Sequence, residues 1–121
     1  MPHIRPGHFV TTVTGEIPSA DLGVTLAHEH IICEVSLHSG NPDNLMQDIP
    51  LMVEELVLFR QAGGHSIIEV TPEGIGRDPV KLQAISEASG VQIVSGIAFY
   101  EESTYPAWLR AATVDEIAVG R

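Results

Sequence analysis

Apolar and polar positions along the chain form short β-rich runs that alternate with longer runs of helical spacing. "FVTTVTGEI" (Phe9 to Ile17) alternates weakly about Thr14-Gly15 and predicts a short hairpin. Ser19 to Gly23 is a turn, and "VTLAHEHI" (Val24 to Ile31) reads as a first strand, mostly apolar until its histidines. From Cys33 to Gln47 the pattern turns polar and predicts a long loop, a kind of segment that often carries function. Ile49, Met52, Val53, Leu56 and Phe59 then share one helical face. Asp48 can cap that helix, Pro50 suits its first turn and Gly63-Gly64 ends it. "SIIEVT" (Ser66 to Thr71) reads as a second strand. Asp78-Pro79 repeats the helix-start chemistry, Leu82, Ile85 and Ala88 give the inner stripe of a second helix, and Gly90 closes it. "VQIVSGIAFY" (Val91 to Tyr100) reads as a third strand. Thr113 to Glu116 form a capping box that announces a last helix.

Strands rich in β-branched residues alternating with helices predict an α/β fold of parallel β-α units with right-handed crossovers. No repeat, low-complexity tract or linker divides the chain, so residues 1–121 are expected to form one domain. Ligands of such folds sit at the carboxyl ends of the strands. In this chain those ends are His28-Glu29-His30, Thr71 with its loop, and Phe99-Tyr100.

Composition narrows the partners. Apolar residues make up 44% and charged residues 18%, a globular balance. A net charge of -10 argues against nucleic acid and against anionic membrane as partners. The one cysteine, Cys33, excludes an intrachain disulfide and fits a reducing compartment. "MPHIRPGHFV" carries no apolar leader and no run approaches a membrane span, so the expected location is cytoplasmic. No G-x-G-x-x-G follows a strand, which argues against a dinucleotide site.

His28 and His30 are the sharpest chemical feature. Side chains two apart on a strand share a face, so two imidazoles can reach one metal ion without rearranging the backbone. Glu29 points the other way and is not expected to bind the same ion. The bland alternative is two polar residues at a strand end. A catalytic zinc needs more protein ligands; His3 and His8 precede the hairpin, His65 lies at the wrong end of its strand, and His38 reads as a solvated loop residue. Glu69 sits inside the second strand, either facing a polar barrel interior or pairing with a helix residue outside, with the pair favoured. "GIGRD" (Gly74 to Asp78) weakly suggests a phosphate-binding turn, but any tight strand-to-helix turn needs the same residues, and Arg77 reads as a loop brace. Tyr100 can line a pocket or pack at a rim. Cys33 reads as a buried, inert thiol.

The stretches "VTGEIPSADLGVTLAHEHI" and "AGGHSIIEVTPEGIGRDPVKLQAISEASGVQIVSGIAFYEESTYP", with their spacing, resemble the phosphotriesterase family of the amidohydrolase superfamily. The resemblance runs from about Thr12 to the end of the chain. It implies a (β/α)8 barrel with two metal ions at its carboxyl-terminal mouth, zinc by default, although manganese, cobalt or iron can occupy similar sites. It implies that His28 and His30 are metal ligands and that Tyr100 borders the substrate pocket in the manner of lactonase-type members. The implied activity is hydrolysis of phosphotriesters, lactones or related small esters by a metal-bridging hydroxide.

The family's bridging lysine, two further histidines and proton-shuttling aspartate have no counterparts here; the single lysine, Lys81, falls in the second helix. About 250 residues make such a barrel, and this chain supplies about three of its eight units, so it is expected to be the N-terminal part of a longer enzyme and inactive by itself. The second reading is a catalytically inactive fragment that serves as an assembly or binding module, for instance a homodimer joined through an open sheet edge.

Overall fold

The computed structural model describes residues 7–119. His3 and the side chain of His38 lie outside the described residues. The chain opens with the expected hairpin, in which β1 (Phe9–Thr12) and β2 (Gly15–Pro18) pair antiparallel with Thr12 opposite Gly15. The buried Thr12 hydroxyl closes the turn by donating to Gly15 O at 2.7 Å and accepting from Thr14 N at 3.2 Å. Val13 N donates to Ile93 O at 2.8 Å and ties the hairpin tip to the main sheet.

That sheet contains three parallel strands, β3 (Thr25–Glu29), β6 (Ser66–Glu69) and β7 (Gln92–Ser95), in the order β3-β6-β7. The connections run through α2 (Ile49–Gln61) and α3 (Pro79–Ser89). Both helices start as their sequence signals require. Asp48 Oδ1 accepts from Leu51 N at 3.0 Å and Asp78 Oδ1 from Lys81 N at 3.1 Å. On α2 the expected face is the buried one, with Leu56 in the core and Ile49, Met52, Val53 and Phe59 packed against it. On α3 the stripe differs. Leu82 and Ile85 are buried, but Ala88 is exposed, and Ser86 and Ser89 face inward. Their hydroxyls are needed there: Ser86 Oγ donates to Val91 O at 2.6 Å, and Ser89 Oγ accepts from Val91 N at 3.2 Å.

All three parallel strands are shorter than the apolar runs that predicted them, and side chains account for two of the stops. Thr71 N is taken by the carboxylate of Glu69 at 2.5 Å instead of continuing the ladder. Gly96 O is taken by Arg77 Nε at 2.9 Å. The third run touches the sheet once more through an isolated Glu73–Phe99 bridge. In β3 an extra residue stands between Leu26 and Glu29 relative to Ile67 and Glu69 of β6, a bulge in the pairing.

The two faces of the sheet are unequal. Ile67, Glu69 and Ile93 are buried toward the helices, while Ile68, Val70 and Val94 are half-buried on the opposite face. The core gathers Ile31, Ile32, Leu56, Ile67, Leu82, Ile85, Val91 and Ile93. Each such side chain contributes about 1.5–3 kcal/mol by leaving water.

The expected long loop is more ordered than its polarity suggests. It contains β4 (Cys33–Glu34), α1 (Ser36–Ser39), a 3-10 turn at Pro42–Asn44 and β5 (Leu45–Met46), with β4 and β5 paired antiparallel. Cys33 is buried, and Glu34 N donates to Ile75 O at 2.7 Å, so the loop's first residues are stitched to the barrel-like frame. The last helix, α4 (Val114–Ala118), carries the expected reciprocal cap, with Thr113 N to Glu116 Oε2 at 2.9 Å and Glu116 N to Thr113 Oγ1 at 3.2 Å.

Candidate metal-binding cleft

The carboxyl ends of the parallel strands open on a cleft of about 680 Å³. His28 and His30 line it from β3 and the residue after it, Val70 from beyond β6, and Ala98 and Tyr100 from beyond β7. His28, His30 and Tyr100 thus line one concavity. Tyr100 differs in one respect: it lies past the end of β7, 42% exposed, held by its own N–H to Glu73 O at 3.3 Å. Glu29 points away as expected and lines a neighbouring groove beside Leu56 and Phe59, which shares His30 and Met46 with the cleft.

The two imidazole rings stand with centroids 6.0 Å apart and planes at 74°. Two imidazoles on one tetrahedral ion at ordinary zinc–nitrogen distances hold their centroids about 5 Å apart, so a small side-chain rotation suffices. The nitrogens also suit a borderline divalent ion. His30 Nδ1 already contacts Thr71 Oγ1 at 2.8 Å, which leaves Nε2 as the ring nitrogen open to a ligand. The residues present thus fit a metal as a pair. Among the described residues no group of three or more His, Cys, Asp or Glu side chains is arranged to hold one.

The other candidates sort into structural roles. Glu69 forms no ion pair: one carboxylate oxygen binds Thr71 N, and the other, buried, has no partner among the described residues. The expectation of a helix partner for Glu69 therefore fails, because its own strand end offers the nearest free N–H. His65 sits at the amino end of β6, where its Nδ1 accepts from Val24 N at 3.2 Å. The "GIGRD" turn is a brace. Arg77 binds Gly96 O, and Asp78 caps α3. Gly76 sits at φ 93°, where a Cβ would stand 2.8 Å from Glu34 N. Lys81, in the first turn of α3, lies 3.7 Å from Asp78.

Cys33 lines the same cleft, and its thiol pKa is raised. Burial is the main cause, and the carboxylates of Glu69 and Glu34 add to it, opposed by hydrogen bonds from Glu34 and from the Thr71 hydroxyl. Sequence reasoning missed Thr71 as a site residue. The signal available was only its position at the end of the second strand, opposite the histidines.

Comparison with known proteins agrees with this arrangement. Residues 8–119 match the sequence profile described as the phosphotriesterase family. The chain is 34% identical over 138 aligned positions to N-acetyltaurine hydrolase of Xenopus tropicalis, an alignment spanning 89% of this chain and 40% of that protein. It is 31% identical over 118 positions to phospho-furanose lactonase of Mycoplasmopsis agalactiae, spanning 90% of this chain and 33% of the relative. A crystal structure of a resiniferatoxin-binding protein from Rhodobacter sphaeroides superposes with a TM-score of 0.77 at 32% identity, over 97% of this chain and 41% of the other. The chain thus spans less than half the length of the relatives it matches, and its three parallel β-α units are part of their (β/α)8 barrel. With the profile covering nearly every described residue, the chain belongs to the phosphotriesterase family.

Proposed function

We propose that this chain is part of a metal-dependent hydrolase that cleaves a small ester, lactone or related acyl substrate. The observation that carries the reading is the convergence of His28, His30 and Tyr100 on one cleft at the strands' carboxyl ends. Family membership supports it, as do relatives named as a hydrolase of an N-acetyl compound and as a lactonase. An acyl carbonyl is common to both names, which favours a carbonyl centre over the phosphoryl centre of a phosphotriester.

In this reading His28 and His30 hold a divalent metal, zinc by default, through one ring nitrogen each, and the remaining ligands come from beyond the described residues. When bound, such an ion lowers the pKa of water and polarises an electrophilic oxygen. Val70, Ala98 and the Tyr100 ring give the substrate an apolar wall, and the hydrophobic lining limits water at the reacting centre. Tyr100 borders the substrate from the side opposite β3.

The test is metal content and hydrolysis rate of the natural polypeptide at its full length. It uses a lactone, an N-acyl amine and a phosphotriester, with His28→Ala and His30→Ala as controls. The expected result is stoichiometric metal and turnover of an acyl substrate, both lost in either variant. The loss should exceed the roughly 10–100-fold that removal of an outer-shell partner costs. Turnover that survives chelation and both substitutions would sink the reading. The 121-residue chain alone is expected to show no turnover.

A further inference from the structure

Behind the histidine pair lies a buried polar cluster. Thr71 is 2% exposed and Glu69 is 1% exposed. The Glu69 carboxylate holds Thr71 N at 2.5 Å, which fixes the backbone from which the Thr71 hydroxyl projects. That hydroxyl lies 2.8 Å from His30 Nδ1. A threonine hydroxyl has one proton to give and two lone pairs to receive with. It can therefore receive the Nδ1–H of His30 on a lone pair while its own proton turns elsewhere.

We propose that Thr71 is a positioning residue: its hydroxyl accepts the Nδ1–H of His30, holds the ring in that tautomer and presents Nε2 to the cleft as the metal-binding nitrogen. The inference rests on the metal reading of the cleft. Its physical content is separate, because the proton on His30 is set before any metal arrives. A neutral imidazole carries one N–H, so protonating Nδ1 clears Nε2, and the partner of the non-ligating nitrogen decides which nitrogen is offered. Glu69 acts one step further back, as the anchor of the Thr71 backbone. Among the described residues no ion pair explains its buried position in the strand.

The experiment uses nitrogen-detected NMR of the metal-free natural polypeptide at its full length, at a pH where His30 is neutral, followed by competition titration with zinc alone. Thr71→Val removes the acceptor at nearly constant volume, and Thr71→Ser keeps it. The expected result is an Nδ1–H tautomer for His30 in the unmodified chain and in T71S, with a shift toward Nε2–H in T71V and no change at His28. Zinc affinity should fall about 10- to 100-fold in T71V and recover in T71S. An Nε2–H tautomer in the unmodified chain overturns the proposal, and that spectrum is read whether or not T71V folds. Equal zinc affinity in T71V and the unmodified chain also overturns it. If the unmodified polypeptide at its full length takes up no zinc, the metal reading falls and this role falls with it. Zinc uptake with the wrong tautomer removes Thr71 alone.

Discussion

Single residues show where local chemistry overrides pattern. Cys33 was legible as a buried thiol because no basic partner accompanies it in the sequence, and the structure buries it. Its raised pKa sets a pH dependence. An acid whose pKa rises on folding keeps its proton longer in the native chain. Its contribution to stability is therefore fully present below its ordinary value of 9.0 and is lost as pH rises through the raised native value. Urea midpoints should fall on the alkaline side of pH 9.0, and the fall should shrink in Cys33→Ala. Native Cys33 should also resist alkylation that proceeds readily in urea; equal rates in both states would contradict its burial. Gly76 offers a second test. At φ 93°, with a Cβ position 2.8 Å from Glu34 N, Gly76→Ala strains the backbone and strikes another main chain. A loss of about 1–3 kcal/mol is expected from urea unfolding. Glu69 was the residue least open to sequence reasoning, since a strand carboxylate that binds an N–H two residues on leaves no periodic trace.

At the level of elements, beginnings were easier to read than ends. Both long helices start at an aspartate followed within two residues by proline, and both aspartates cap as expected. Asp48→Ala and Asp78→Ala should each cost about 1 kcal/mol, measured as a shift in urea midpoint. The Asp78 change adds little through Lys81, because that pair is 3.7 Å apart and about a third exposed on both sides. A cost below a few tenths of a kcal/mol at either site would show that water replaces the cap. Strand ends were misjudged for a physical reason. The apolar runs continue past Glu69 and Ser95, but the backbone partners there are claimed by the Glu69 carboxylate and by Arg77 across the turn. These bonds join residues whose proximity only the fold creates. The folded order within residues 33–47 was hidden in the same way, because its short β4-β5 pairing depends on Cys33 being drawn into the core.

On the scale of the whole molecule, the parallel sheet carries β3 and β7 on its two outer sides. Val24 and Leu26 near one side and Ile97 near the other are exposed apolar residues. The β7 side is partly covered by the hairpin through Val13 N to Ile93 O, but the β3 side, with exposed Val24 and Leu26 beside it, favours association. The 121-residue chain should therefore sediment with increasing mean mass as its concentration is raised, and a constant monomer mass would show that this edge is shielded. The alternating burial of β6 and β7 has a further meaning for change over generations or in the laboratory. Ile67 and Ile93 secure the chain to its helices, while Val70, Ala98 and Tyr100 look into the cleft. Neighbouring codons thus answer to separate demands. Under the proposed function, a mutational library confined to the cleft-facing positions should alter substrate choice while leaving the anchoring positions untouched, because the two demands fall on alternate residues within a short stretch of sequence.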